Sequence, residues 1–365
     1  MKSPLLSYLA RLQTPLILIG LLVIVQFVIL VTGSTINERI ITVMFINIIL
    51  VVALQMFMGN SGVVSFAHIG FMGIGAYTSI IFTLSERMKG VTLPNLYPFL
   101  ESAQLPFLPA LVVGGLVAAV IAAVFGFPLM RLSGAAAVIA TFALLVIIHV
   151  VLLNWNQITN GPRTVFGIDR LTTSWLALGW AVAVVALGYA YKESRLGLML
   201  RASREDDKAA SSLGIDIVRM RWIAFIISAF LAGVAGGLYA HFITSFGAGA
   251  FYIGQTFLII AMLVIGGQGS VSGAVIGVLV VTLLSEGLRG LENAVNIARI
   301  FPDGIAGATE VLVSIAMVLM LIARPGGITG GAEIKLPALR SRRAEAAVNA
   351  PISEGERTHD APKHP

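Results

Sequence analysis

The sequence predicts an all-α, polytopic membrane protein with about ten transmembrane helices. Hydrophobic residues make up 57% of the chain and the mean hydropathy is +0.93, whereas soluble domains contain about 45–50% apolar residues. These residues occur in continuous runs and not in the alternating ten-residue segments of a membrane barrel. Helices are therefore the elements expected to satisfy the backbone in lipid.

Each predicted span is a mainly apolar run, and about 20 such residues cross a bilayer as a helix. The first run follows Lys2 and Arg11, but it is long for a signal peptide and residues 31–34 form a poor cleavage site, so we expect it to be retained. The eighth and ninth runs are short and interrupted by glycine. In chain order the spans are 15–32, 40–58, 63–84, 107–127, 134–153, 172–190, 222–243, 256–266, 272–287 and 309–323.

The composition excludes several kinds of chemistry. The chain has no cysteine, and hence no disulfide, thiolate nucleophile or thiolate metal site. It has no Walker-type motif for binding ATP. The five histidines are scattered and acidic residues are sparse within the spans, so we predict no metal site, no catalytic carboxylate pair and no cofactor.

Lysine and arginine are distributed unevenly across the predicted topology. With the N-terminus inside, 17 of the 24 fall on the inner side and 7 on the outer side, in keeping with the positive-inside rule. The net charge of +6 therefore indicates membrane insertion and not nucleic-acid binding. We expect both termini in the cytoplasm, a transmembrane domain over residues 1–325, and a disordered tail over 326–365.

The longest polar segment covers residues 192–221, here called the polar loop, and lies between two apolar spans. Acidic residues near position 206 suit the start of a short helix, and Gly214 suits its end. The Ala-Ala pair within it would give a small-residue face that fits a groove on a partner. A solvated loop that only sets the topology is equally compatible with the spacing. The predicted docking residues are Arg204, Glu205, Asp206, Lys208, Ala209, Ala210 and Gly214.

Residues 59–77 combine five glycines with polar side chains at membrane depth. We predict a broken helix here, because interrupted helices line the pathways of transporters and polar residues in spans usually face the interior. His68 is suited to hydrogen-bond a passing solute. The alternative is a histidine held by a neighbouring backbone carbonyl, which would fix the break. The predicted pathway residues are Asn60, Ser61, Gly62, Ser65, His68, Gly70 and Gly73.

Small residues recur every four positions on the seventh and ninth spans. This spacing lets helix backbones approach closely, so we assign these residues to helix packing. Residues 266–270, at the turn between the eighth and ninth spans, form a second candidate break that carries no charge. The predicted packing residues are Ala229, Gly233, Gly237, Gly269, Gly273 and Gly277.

Several of these segments together resemble the LivM-type permeases of branched-chain amino-acid ABC importers. Residues 58–62 and 65–77 are similar to the glycine-rich signature of that family, and 266–277 to its Gly-Gly-x-Gly segment. Residues 204–214 resemble its coupling loop, whose pattern is Glu-Ala-Ala, three residues, then Gly, although Lys208 replaces the Glu. With 153–167 and 225–239, the resemblance covers most of residues 40–325.

The resemblance implies a permease of a bacterial inner membrane that pairs with a homologous second permease, two cytoplasmic ABC ATPases and a periplasmic substrate-binding protein. It implies import of branched-chain or other hydrophobic amino acids by alternating access, with ATP hydrolysed on the partner chains. Permeases for urea and short-chain amides share these motifs and are an alternative. A proton-coupled secondary transporter would need a buried ionisable relay, for which Glu286 and Glu310 are the candidates. A purely anchoring subunit would tolerate changes at residues 60–68.

Overall fold

The computed structural model describes residues 4–297, 307–324 and 326–334, which form an all-α fold. The fifteen α-helices are α1 (Pro4–Thr32), α2 (Thr35–Leu54), α3 (His68–Thr83), α4 (Glu86–Thr92), α5 (Pro98–Glu101), α6 (Phe107–Leu129), α7 (Gly134–Asn154), α8 (Asn156–Thr159), α9 (Ser174–Glu193), α10 (Arg195–Glu205), α11 (Asp207–Ser212), α12 (Ile217–Ile243), α13 (Ile253–Gly266), α14 (Val271–Ile297) and α15 (Ala308–Ala323). A π-helical turn, Gln55–Gly59, follows α2, and a 3₁₀ turn, Ala248–Phe251, precedes α13.

The predicted polytopic fold is confirmed. Within the described residues, eight segments are long and apolar enough to cross a membrane, and two shorter apolar helices, His68–Thr83 and Val311–Met320, accompany them. The predicted third span differs in form, because its first residues are non-helical and the helix begins only at His68. The predicted eighth span begins earlier, at the 3₁₀ turn, and the ninth continues to the end of α14.

The centre of the bundle is built from α2, α3, α6 and α12. Helix α12 packs along α6, α3 and α2, and α2 also contacts α9 and α14. Most of α2 is buried, as expected for a helix that is apolar on all sides. Other faces of the bundle expose large apolar side chains, such as Val120 on the outward side of α6 and Ile139 of α7.

Glycine allows α3, α6 and α12 to pack backbone against backbone. A Cβ at Gly75 of α3 would collide with the backbone of Gly233 in α12, and one at Gly236 would collide with the Met72 carbonyl. A Cβ at Gly114 of α6 would lie 2.8 Å from the Gly75 carbonyl oxygen. Small residues bring membrane helices together in this way.

Several segments between or after the spanning helices lie together at one end of the bundle, here called the polar-loop end. They are the break at 60–67, the polar loop, the turn at 267–270 and residues 326–334. The amide nitrogens of Ile328 and Thr329 donate to the carbonyl oxygens of Ile265 (2.8 Å) and Gly266 (3.1 Å). Residues 326–334, which form turns and coil, therefore pack on the end of α13. The domain boundary at 325 stays a prediction, and residues 335–365 of the predicted tail lie outside the described residues.

Candidate functional site

The predicted break follows α2 directly. The π-helical turn Gln55–Gly59 leads into Asn60, and residues 62–67 are non-helical before α3 begins. Gly62 has φ +73°, a left-handed conformation that glycine adopts without strain. A Cβ at Gly59 would collide with the Gln268 carbonyl, so the two glycine-rich breaks touch each other. π-helical turns are frequent at functional sites.

His68 is fully buried at the start of α3. Its Nε2 lies 2.9 Å from the Ser228 hydroxyl, which donates its own proton to the Phe225 carbonyl, so Nε2–H is the donor in that contact. Its Nδ1 then accepts from the Ser65 hydroxyl at 3.0 Å. The rings of Phe57, Phe71 and Phe225 surround the imidazole. Both ring nitrogens are satisfied within the protein by serine hydroxyls, not by the backbone carbonyl that the alternative interpretation invoked.

We predict that His68→Ala lowers solute uptake while the subunits still assemble. The change removes two buried hydrogen bonds and opens a space inside the aromatic cluster, a loss of about 2–4 kcal/mol in folding free energy. Uptake into reconstituted vesicles and thermal unfolding of the purified complex measure the two effects. Unchanged transport would contradict the role predicted for His68.

The other predicted pathway residues line the break or the adjoining face of α3. Asn60 donates to the Met56 carbonyl at 2.9 Å, and the Ser61 hydroxyl accepts from the Val63 amide at 3.2 Å. A Cβ at Gly70 would lie 2.9 Å from Ile148, and one at Gly73 would lie 3.0 Å from both Leu152 and Phe251. Because these two glycines have no side chain, α7 can pack closely against α3.

Gln55 was not predicted and lies in the same region. Its side chain is fully buried, and neither its oxygen nor its nitrogen has a hydrogen-bond partner in the described residues; the same holds for Asn60 Oδ1. Buried polar atoms without partners are costly and are retained mainly where function requires them. In the sequence, Gln55 could have been recognised as the single amide in the otherwise apolar run of residues 48–58.

The polar loop folds into two short helices with side-chain caps. The hydroxyl of Ser194 caps α10, and the carboxylates of Asp206 and Asp216 cap α11 and α12. Gly214 has φ +81°, and the Ile215 amide donates to the Ala210 carbonyl at 3.2 Å, which closes the end of α11. The expected helix and its glycine end are both present.

The exposed face of α11 differs from the expected face. Lys208 and Ala209 are exposed, whereas Ala210 is 3% exposed and points into the protein. Leu213 is 82% exposed at the end of α11. The exposed surface of α11 therefore comprises Ala209, Leu213 and Gly214, with Asp206 and Glu205 beside it. In the sequence, Leu213 could have been recognised as an apolar residue inside a polar segment.

Arg204 joins the polar loop to the break. Its Nη1 donates to the Gly59 carbonyl oxygen at 2.7 Å, and its aliphatic stem lies against Gly62. Residues that the sequence placed in separate groups, the pathway and the docking loop, are thus in direct contact.

A second contact joins the polar loop to α14. Lys192, at the end of α9, donates from Nζ to the Gly269 carbonyl at 2.9 Å and to the Glu333 carboxylate at 2.6 Å. Glu333 also accepts from the Val271 and Ser272 amides at the start of α14. Three chain segments therefore meet at one buried ion pair.

The packing residues lie on two helix crossings. Gly233 contacts α6 and Gly237 lies against Leu111 and Ser79, with Ala229 fully buried one turn earlier. On the other crossing, Gly273 and Gly277 lie against the backbone of α13, while Gly269 lies against residue 331. Sequence spacing identified Gly277, whose Cβ would approach a neighbouring backbone most closely, but not Gly75, Gly236 and Gly266, which are nearly as close.

The described residues contain no cluster of His, Cys, Asp or Glu that would hold a metal ion. Glu286, the first candidate for a proton relay, pairs with Arg289 at 3.2 Å, and a third of its side chain is exposed. The side chain of Glu310 lies outside the described residues. A buried carboxylate relay is therefore not assembled at Glu286.

The apolar bundle, its two touching breaks and the polar loop that contacts both of them define a subunit of a membrane transport system, of the permease class. Residues 36–323 match the family described as branched-chain amino acid transport system / permease component, and the chain belongs to that family.

Relatives of known name agree with this assignment. The chain is 28% identical over 349 residues to the high-affinity branched-chain amino acid transport system permease protein LivM of Escherichia coli K12, covering 86% of this chain and 74% of LivM. It is 28% identical over 313 residues to LivH of the same organism, covering 79% and 92%. A probable LivH of Methanocaldococcus jannaschii is 34% identical over 138 residues, covering 38% and 42%. No solved structure matches the chain.

Proposed function

We propose that this chain is a permease subunit of an ABC importer for branched-chain or other hydrophobic amino acids in the bacterial inner membrane. Similarity to both LivM and LivH supports a pair of homologous permeases. Since the chain has no Walker-type motif, two partner ATPases are expected to supply the energy, and a periplasmic binding protein to deliver the solute.

The contact between Arg204 and Gly59 carries the proposal. Alternating access requires that movement at an ATPase interface reach the transport pathway. The exposed α11 is the surface suited to bind an ATPase, and the neighbouring α10 bonds the interrupted helix through one side chain and a 2.7 Å hydrogen bond. When ATP binding moves the polar loop, Arg204 would transmit this movement to the break through its hydrogen bond to Gly59.

The proposed orientation places the polar-loop end in the cytoplasm, together with both termini. The excess of Lys and Arg on that side supports it. The loops at 84–106 and 155–173 then face the periplasm, where a binding protein would dock.

The test is uptake of L-leucine by vesicles that contain both permeases and the ATPases, supplied with the binding protein. We predict that Ala209→Trp lowers ATP-dependent uptake about tenfold, because a large side chain on the exposed face of α11 prevents close docking. The matched variant Lys208→Glu should retain uptake, because Lys208 is exposed and shape dominates the contact.

Two outcomes would contradict the proposal. Uptake that depends on a proton gradient and not on ATP would favour a secondary transporter. Loss of coupling in Lys208→Glu, with normal coupling in Ala209→Trp, would contradict the docking surface.

A further inference from the structure

Five aromatic side chains, here called the aromatic ladder, connect α7 with α13. The Phe66 ring lies at the end of the break and meets Phe142 of α7 at 5.7 Å and Phe257 of α13 at 5.9 Å between ring centroids. Further from the polar-loop end, His149 of α7 stacks on Tyr252 at 3.8 Å, with the ring planes 11° apart. Phe142 and His149 are seven residues apart, so they share one face of α7.

His149 holds an unused hydrogen-bonding atom. The residue is 9% exposed, and its Nδ1 is buried without a partner in the described residues. In the neutral tautomer that carries its proton on Nε2, Nδ1 is an acceptor. A buried acceptor without a donor is costly unless a ligand or a second state supplies one.

Tyr252 covers this atom from a position that can move. It lies in extended conformation (φ −135°, ψ −153°) between the 3₁₀ turn and α13. Gly249 and Gly254, on either side, have no atom within 4 Å of a built Cβ. Swinging Tyr252 aside would uncover His149 without breaking a helix.

The contact between α7 and α13 through the aromatic ladder also differs from two other helix contacts of the bundle. Helices α3 and α12, and helices α13 and α14, meet through glycine with their backbones in contact. Between α7 and α13, aromatic rings fill the space instead, and Phe257 is 51% exposed. Rotation of rings opens this contact without moving a backbone.

We propose that the aromatic ladder is a binding site for the transported amino acid, in which His149 Nδ1 accepts a hydrogen bond from its ammonium group. The rings of Phe142 and Phe257 contact its apolar side chain, and Phe66 closes the site toward the break. This inference rests on the proposed function, and it adds the residues that contact the solute.

The first experiment measures L-leucine uptake by the complete complex in vesicles. His149→Leu keeps the apolar volume and removes the acceptor, and we expect uptake to fall about tenfold, the value of one hydrogen bond to a charged group. His149→Asn places an oxygen near the position of Nδ1 and should restore part of the rate. Equal thermal stability of the two variants would show that the difference is not one of folding.

The second experiment uses the absence of cysteine from the native chain. In Phe142→Cys, a membrane-impermeant thiol reagent should react more slowly when L-leucine and the binding protein are present. Thr35→Cys is the control, because Thr35 is exposed at the first residue of α2, at the end of a span and outside the ladder. Its labelling should not depend on leucine.

The outcomes separate the two proposals. Wild-type complex that takes up no L-leucine would overturn the proposed function, and with it the amino-acid assignment. Normal wild-type uptake with equal rates in His149→Leu, or leucine-independent labelling of Phe142→Cys, would overturn this inference alone.

Discussion

Replacing Lys192 by Met is expected to destabilise the protein by about 3–5 kcal/mol, because it leaves the Glu333 carboxylate buried without its cation. The side chains of Lys192 and Glu333 are 5% and 7% exposed, and their charged atoms lie 2.6 Å apart. Glu333 also holds the start of α14 through Ser272, so the loss would extend to the crossing of α13 and α14.

An exposed ion pair provides the control for this prediction. Arg289 and Glu286 lie 3.2 Å apart, with side chains 57% and 33% exposed. Such pairs contribute about 0–1 kcal/mol, so Arg289→Met should change stability little. Thermal unfolding of the purified complex measures both variants. Equal melting temperatures for the two would show that the Lys192–Glu333 pair does not stabilise the fold.

The pH dependence of stability gives an independent measure of the same pair. Burial alone would raise the pKa of Glu333, but the Lys192 ammonium and the hydrogen bonds from Lys192 and Ser272 offset it, and the pKa is lowered. The stabilisation is therefore present above the ordinary glutamate pKa of about 4.3 and is lost as the pH falls through the lower folded value. In Lys192→Met only burial and the α14 bonds remain, so the Glu333 carboxyl should take up its proton at higher pH.

The sequence predicted the elements that depend on local pattern. Apolar runs predicted the spans, and the acid-rich start and Gly214 predicted α11. Partners far apart in the chain left no local signal: Lys192 and Glu333 are 141 residues apart, and Arg204 meets Gly59 across 145 residues. The direction of Ala210 also depends on tertiary packing, because an isolated short helix does not determine which of its faces is covered.

The close contacts made by glycines also could be predicted only in part from the sequence. Spacing of four identified Gly233 and Gly237, since it places residues on one helix face. Gly75 and Gly236 make closer contacts, but their importance depends on which neighbour lies opposite. A glycine facing backbone and a glycine facing a side chain are indistinguishable in the sequence.

Whether a glycine faces backbone or a side chain predicts a large difference in the stability of Gly→Ala variants. Gly75→Ala and Gly236→Ala each place a methyl group against the backbone of a neighbouring helix, which cannot yield without separating α3 from α12. Overpacking of this kind costs about 1–3 kcal/mol or more, which outweighs the gain of about 1 kcal/mol in helix propensity. We expect both variants to be recovered in low yield and to unfold at lower temperature.

Two further glycines serve as matched controls. Gly179 in α9 has no atom within 4 Å of a built Cβ, so Gly179→Ala should leave stability unchanged or raise it by up to about 1 kcal/mol. Gly237 faces the side chains of Leu111 and Ser79, which can rotate, so Gly237→Ala should lie between the two extremes. Size-exclusion chromatography and thermal unfolding would rank the variants. If Gly75→Ala matched Gly179→Ala, the backbone contact between α3 and α12 would not limit the fold. If the expected order held, the crossing that positions α3, and with it His68 and the break, would be the most sensitive point of the bundle.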